Sequence, residues 1–207
     1  MKVLSHRGYW KVAQEKNTPE AFIRSVDLGF GTETDIRDVL GELVISHDPP
    51  RGGQMSCADL IAQFEQQQLP LALNVKADGL AEQIRDAFSG TGIDWFVFDM
   101  SVPDMKMHIK AGNPVFTRMS EVEQYPAWID NADGVWLDSF GPEWYTAVDV
   151  RALLQRGLRV CIVSPELHGR CHTEFWSSLY SLKNEEGLMI CTDFPEECRD
   201  FFKTQEA

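Results

Sequence analysis

Apolar positions along this chain follow two periods that take turns. Short runs rich in β-branched and aromatic residues (KVLS, LALNVK, WFVFDM, PVFT, GVWLD, RVCIV and LMICTD) alternate with stretches in which apolar residues recur at helical spacing. TETDI followed by LVIS adds one further strand unit, which brings the count to about eight. Strands that alternate with helices from end to end predict βα units on a parallel sheet. Eight such units predict a (β/α)8 TIM barrel.

The helices carry their own start signals. Asn17, Thr18, Pro19 and Glu20 offer an N-cap, an early proline and a capping-box glutamate before AFIRSVDLG. Ser56 and Asp59 repeat the device before CADLIAQFEQQQ, and GLAEQIRDAFSG, PEWYTAVDVRALLQRG and PEECRDFFK continue the alternation. No fixed-period repeat, low-complexity tract or Gly/Ser linker interrupts it, so residues 1–207 read as a single domain.

In such barrels the C-terminal ends of the strands carry the active site. Here those ends read His6-Arg7, then Glu33-Thr34-Asp35 with His47-Asp48, then Asn74 and Lys76, Asp99, Thr117-Arg118, Asp138, the SPELHGR segment from Ser164, and Thr192-Asp193. Nearly all are polar or ionisable. Glu33 and Asp35, two apart on a strand, project from one face. Two same-facing carboxylates repel unless a cation lies between them, and hard ions such as Mg2+ or Ca2+ prefer oxygen ligands. Asn74 and Lys76 repeat the spacing on the next strand, where Asn74 offers a neutral oxygen and Lys76 a positive charge. His6 and His47 follow apolar runs on strands expected to be neighbours, and two imidazoles can serve as base and acid in one turnover. With Arg7 as a fork for phosphate oxygens, the set describes phosphoryl-transfer chemistry.

Charge sharpens the picture. The net charge is −13, from 32 acidic against 19 basic residues, and no basic block forms a nucleic-acid footprint. An anionic substrate then needs a local positive element, and a bound metal ion is the obvious one. Five scattered cysteines contain no C-x-x-C pair and suit a reducing cytoplasm. No apolar run approaches the roughly 18 residues that span a bilayer, so neither export by an ordinary signal nor membrane insertion is expected.

At this point the residues resemble a known family. The stretch SHRGYW…NTPEAF…GFGTETDIRDVLGELVISHDPP resembles the N-terminal signature of the glycerophosphodiester phosphodiesterases, relatives of the bacterial phosphatidylinositol phospholipases and sphingomyelinase D enzymes, and LMICTDFPEEC resembles their last strand. The resemblance covers the first 50 or so residues strongly and the rest as barrel topology. It implies a small phosphodiester as substrate and lipid metabolism as the setting, with His6 and His47 as the acid/base pair in an order left open. It also implies Arg7 as a phosphate contact, Lys76 as the lysine of the transition state, and Glu33 and Asp35 as metal ligands.

Two departures stand out. Asn74 occupies a position where the family usually has a carboxylate, which should weaken the divalent site or shift its ion. DPPRGGQMS leads almost directly into the next helix, so this is a short form lacking the usual insertion. The SPELHGRCH loop also differs from the family pattern. It brings Glu166, His168 and Arg170 to the expected substrate face, where they, with Arg118, would select a polar alcohol group; Trp10 is a candidate pocket wall.

Plainer readings stand beside these. Glu33 and Asp35 can pair with Arg7 and Lys76 as a metal-free charge network. Asn17 reads as a helix cap and His108 as a surface residue. Trp95, Trp136 and Trp144 read as packing, whereas Asp99, Asp138 and Asp193 each read equally as a site residue or a helix cap. Competing functions are a lyase that stops at a cyclic phosphate and a noncatalytic barrel that binds a phosphorylated ligand. The oligomeric state is not encoded legibly.

Overall fold

The computed structural model describes residues 1–203. In chain order its elements are β1 (Lys2–His6), α1 (Pro19–Asp27), β2 (Gly31–Val39), β3 (Glu42–Ile45), α2 (Cys57–Phe64), β4 (Pro70–Val75), α3 (Ala81–Phe88), β5 (Asp94–Phe98) and α4 (Val102–Ala111). Then follow β6 (Phe116–Met119), β7 (Gly134–Leu137), α5 (Ala147–Gln155), β8 (Arg159–Val163), α6 (Thr173–Leu179), β9 (Leu188–Thr192) and α7 (Pro195–Lys203). The sheet order is β5-β4-β2-β1-β9-β8-β7-β6, with β3 paired to β2 off this path. Sequential parallel strands alternating with helices are the (β/α)8 arrangement. TETDI and LVIS turn out to be two arms of an antiparallel hairpin, Ile36 opposite Ile45 and Val39 opposite Glu42.

Two compact units make up the chain: Ser5–Val115, and Met1–Leu4 with the chain from Phe116 on. In Ser5–Val115, Phe22, Leu60, Phe64, Ile84, Phe88 and Met105 from the helices pack on Ile36, Leu71, Leu73 and Val97. Each such burial contributes about 1.5–3 kcal/mol relative to exposure. The period of two sends the alternate residues the other way. Register places Glu33 beside Ala72 and Ala72 beside Phe96 in one row, and Asp35 beside Asn74 and Asn74 beside Phe98 in the next. The carboxylates therefore sit on the strand face that the helices do not cover.

In the other unit the same alternation places Val135, Leu137, Val160, Ile162, Leu188 and Ile190 against Val150, Leu153, Phe175, Trp176 and Leu179. Arg118, Trp136, Cys161 and Met189 share a row of the sheet register. Trp136 is buried, Trp95 packs against Phe88 with ring centroids 4.7 Å apart, and Trp144 packs beside the second core, so all three tryptophans pack as expected.

Two expectations change. His108 is fully buried: its Nε2 lies 3.3 Å from Asp104 Oδ2, and Asn113 Nδ2 lies 2.9 Å from its Nδ1. An Asp one turn earlier and an Asn just past the helix give the imidazole polar partners in the interior, so it need not face water. The cap of α1 is Thr18, whose side chain accepts from Ala21 N–H; Asn17 is engaged elsewhere. Among the described residues no helix is long and apolar enough to cross a membrane.

Candidate functional site

The chain turns sharply as β1 ends. Arg7 (φ +57°) and Gly8 (φ +79°) are both left-handed, and a Cβ on Gly8 would lie 2.8 Å from Ala21 Cβ. Glycine alone lets the turn lie against α1. Arg7 has no such freedom and is held by its neighbours: its N–H donates to Glu33 Oε2 at 3.1 Å, and its carbonyl accepts from Asn17 N–H at 2.9 Å. Its Nε then lies 3.1 Å from Asp35 Oδ2.

Asp35 is the hub of the site. It is fully buried and meets Lys76 Nζ at 3.3 Å through Oδ1. Asn17 Nδ2 donates to Oδ2 at 2.9 Å, while Asn17 Oδ1 accepts from the Thr34 hydroxyl at 2.8 Å. Asn17 is thus the residue that sequence reasoning assigned to a cap and so missed; its backbone is left-handed (φ +59°), a conformation asparagine adopts more readily than most residues. Parallel pairing of β2 with β4 delivers Lys76, whose N–H donates to Ile36 O at 3.0 Å.

Glu33 is the second buried carboxylate, and His6 Nε2 approaches it at 3.9 Å. Burial first, and then the adjacent Asp35, push Glu33 up to about 7, against the pull of His6, Arg7 and Lys76. Asn74 Nδ2 donates to Asp99 Oδ2 at 3.1 Å, which draws Asp99 into the constellation. Trp10 Nε1 donates to His6 O at 3.1 Å, so the indole braces the backbone of the histidine.

His47 arrives by a different route from the one its sequence suggests. It comes not from a barrel strand of its own but from the returning arm of the β2–β3 hairpin. Ser46 N–H donates to Asp35 O at 3.0 Å, while Lys76 N–H uses Ile36 O. Successive carbonyls point to opposite edges of a strand, so the end of β3 runs along the edge of β2 away from β4. His47 Nδ1 lies 2.9 Å from Asp48 Oδ1, with the imidazole half-exposed. The hydrogen bond with His47 holds the Asp48 carboxyl below its usual range, helped by Arg37 and Arg7.

Among the described residues no three His, Cys, Asp or Glu side chains form a metal set. The oxygens available are those of Glu33, Asp35 and Asn74. Asp35 Oδ1 and Asn74 Oδ1 are buried and accept no hydrogen bond. Two carboxylates and an amide oxygen fit an ion that keeps much of its water and shares its coordination with substrate phosphate, as Mg2+ commonly does.

The remaining candidates belong to the other unit. Asp138 is buried at the end of β7; it pairs with Arg118 Nη1 and lies 2.7 Å from His168 Nε2. Arg170 donates to Glu143 Oε1 and to Ser139 O. Glu166 turns inward, accepting from the Ser164 and Thr192 hydroxyls and from Asp193 N–H at 3.1 Å. It fastens the start of its loop to the end of β9, which leaves its oxygens occupied by the protein.

No family model matches the sequence, and the comparison with curated proteins found no match. Among solved structures, one described as the tryptophan synthase complex from Pyrococcus furiosus is similar to this chain with a TM-score of 0.52 and 15% identity, covering 98% of this chain and 94% of that one. At that identity the likeness speaks for architecture alone, and the architecture is that of the (β/α)8 barrel.

Proposed function

We propose that this chain is a phosphodiesterase of the glycerophosphodiester phosphodiesterase kind, cleaving a small phosphodiester to an alcohol and a phosphomonoester. The observation that carries the reading is a buried carboxylate, Asp35, holding two cations, Arg7 and Lys76, while His6 approaches its neighbour Glu33. Arg7 and Lys76 would receive the phosphate oxygens and neutralise charge that grows in the transition state. One of His6 and His47 takes a proton from the attacking hydroxyl as the new P–O bond forms; the other gives a proton to the departing alkoxide as the old bond breaks. A divalent cation, Mg2+ or Ca2+, held by Glu33, Asp35 and Asn74 would supply Lewis-acid polarisation of a phosphoryl oxygen. The five free thiols support a cytoplasmic setting, and glycerophosphodiesters from lipid breakdown suit the substrate class.

The test is a panel of glycerophospho-alcohols, sugar-glycerol phosphates and bis(p-nitrophenyl) phosphate, assayed with Mg2+, with Ca2+ and with EDTA. Turnover of at least one diester is expected, falling by about 10²–10⁴ in His6→Ala and in His47→Ala. Full activity in either variant, or none in the wild type on the whole panel, overturns the reading. Phosphorus NMR identifies the product: a linear monoester is expected, and a persisting cyclic phosphate would make the enzyme a lyase.

A second reading is a noncatalytic barrel that binds a phosphorylated ligand, favoured by the engagement of Asp35 with Arg7, Lys76 and Asn17, which already balances its charge. Calorimetric titration separates the two. Indifference to millimolar Mg2+ and Ca2+, with inorganic phosphate bound and no turnover, is the signature of the binding barrel.

A further inference from the structure

We infer that Asp138, Ser139 and His168 form a recognition site for the hydroxyl groups of a polyol or sugar-like ligand, in which Asp138 is the positioning residue. Asp138 accepts from Ser139 N–H at 2.8 Å through Oδ1, pairs with Arg118 through Oδ2, and lies 2.7 Å from His168 Nε2 through Oδ1. An ionised carboxylate only accepts. His168 therefore carries a hydrogen on Nε2; in the tautomer with that hydrogen alone, Nδ1 is an acceptor, for which the described residues provide no partner. An acceptor nitrogen repels phosphate and carboxylate oxygens and takes a hydroxyl that donates.

The surroundings supply further unpaired polar groups. The Ser139 hydroxyl and Arg170 Nε are buried and have no hydrogen-bond partner in the protein. Ser139 and Arg170 are neighbours, since Arg170 Nη2 donates to Ser139 O at 2.6 Å. Buried polar atoms left unpaired by the protein call for a partner from outside it. Phe140, half-exposed, meets the His168 ring edge-on at 5.6 Å and has the Arg118 guanidinium over its face at 5.2 Å. It offers an apolar surface to the C–H groups of a polyol. The loop expected to select an alcohol thereby gains an anchor, Asp138, and a stated direction for the hydrogen bond. Recognition here does not require the phosphodiesterase reading.

The test is nitrogen-detected NMR of the His168 ring in the full chain, titrated with glycerol, myo-inositol and, as a contrast, inorganic phosphate. The wild type should show the Nε2–H tautomer, and Nδ1 should shift with a polyol. Asp138→Asn should lose the tautomer preference and weaken polyol affinity by about tenfold, the scale of one lost hydrogen bond to a charged group. If that variant fails to fold, Phe140→Ala at the surface should still weaken the polyol shift severalfold. A protonated Nδ1 in the wild type overturns the inference. So does a ring that responds to phosphate alone or to nothing, or a polyol response undiminished in the variants.

Discussion

Asp35 has no water to solvate its charge, so its stability depends on the donors that surround it. Arg7 and Lys76 bring charge; Asn17 brings the well-formed neutral bond at 2.9 Å and at the same time accepts from Thr34. Removing one donor from a buried carboxylate costs about 1–3 kcal/mol. Asn17→Gly tests this cleanly, because glycine adopts φ +59° without strain and only the side chain is lost. Denaturant melts should show a loss of that size. Asn17→Ala should lose about 1–2 kcal/mol more, since a Cβ is strained in the left-handed region. A glycine variant as stable as the wild type would remove Asn17 from the network.

The β1–α1 junction shows how an element boundary makes a site. Tyr9 N–H donates to Ala21 O at 3.0 Å and the Ser25 hydroxyl lies 2.8 Å from Tyr9 N, so the turn through Arg7 and Gly8 is fastened to the first helix. Gly8→Ala adds a Cβ 2.8 Å from Ala21 Cβ and 3.0 Å from Phe22 Cδ1, and it does so at a positive φ. Strain and overpacking together should cost about 2–4 kcal/mol, read as a lower melting midpoint. The displaced Arg7 should also weaken phosphate binding, whereas unchanged binding would mean the turn does not set the guanidinium. Much of this region was legible in the sequence. Period-two runs exposed the strands, and polar residues at their ends exposed Glu33, Asp35, Asn74 and Lys76 on one face. The illegible parts depend on tertiary partners. The hairpin of β2 and β3 reads locally as one interrupted strand, and Asn17 has the composition of a cap until Asp35 is seen beside it. His108 looks exposed in a helix containing Asp104 and Lys110 until Asn113 and Asp104 are seen to receive it.

For the molecule as a whole, the two buried carboxylates tie stability to pH and to cations. Glu33 is pushed up to about 7 in the folded protein, against an ordinary 4.5. Between those values the folded state holds a proton that the unfolded chain has released. Stability from this group is therefore fully present below about pH 4.5 and is lost as pH rises through about 7, by an amount on the order of 3 kcal/mol. Other groups act in the opposite sense: Asp48 and Asp149 are held low by their hydrogen bonds, and what they contribute is lost as pH falls. Subtraction isolates Glu33. Guanidinium melts of the metal-free protein at pH 5 and pH 7.5, compared with the same pair for Glu33→Gln, should show a wild-type decline with pH that the variant lacks. Mg2+ or Ca2+ at millimolar concentration should diminish that decline in the wild type alone, because a cation among Glu33, Asp35 and Asn74 favours the ionised carboxylate that bare burial disfavours. If the wild type and Glu33→Gln follow the same curve with and without the ion, the acidic pair is neither strained by its burial nor relieved by a metal. Arg7 and Lys76 would then account for the charge balance of the site by themselves.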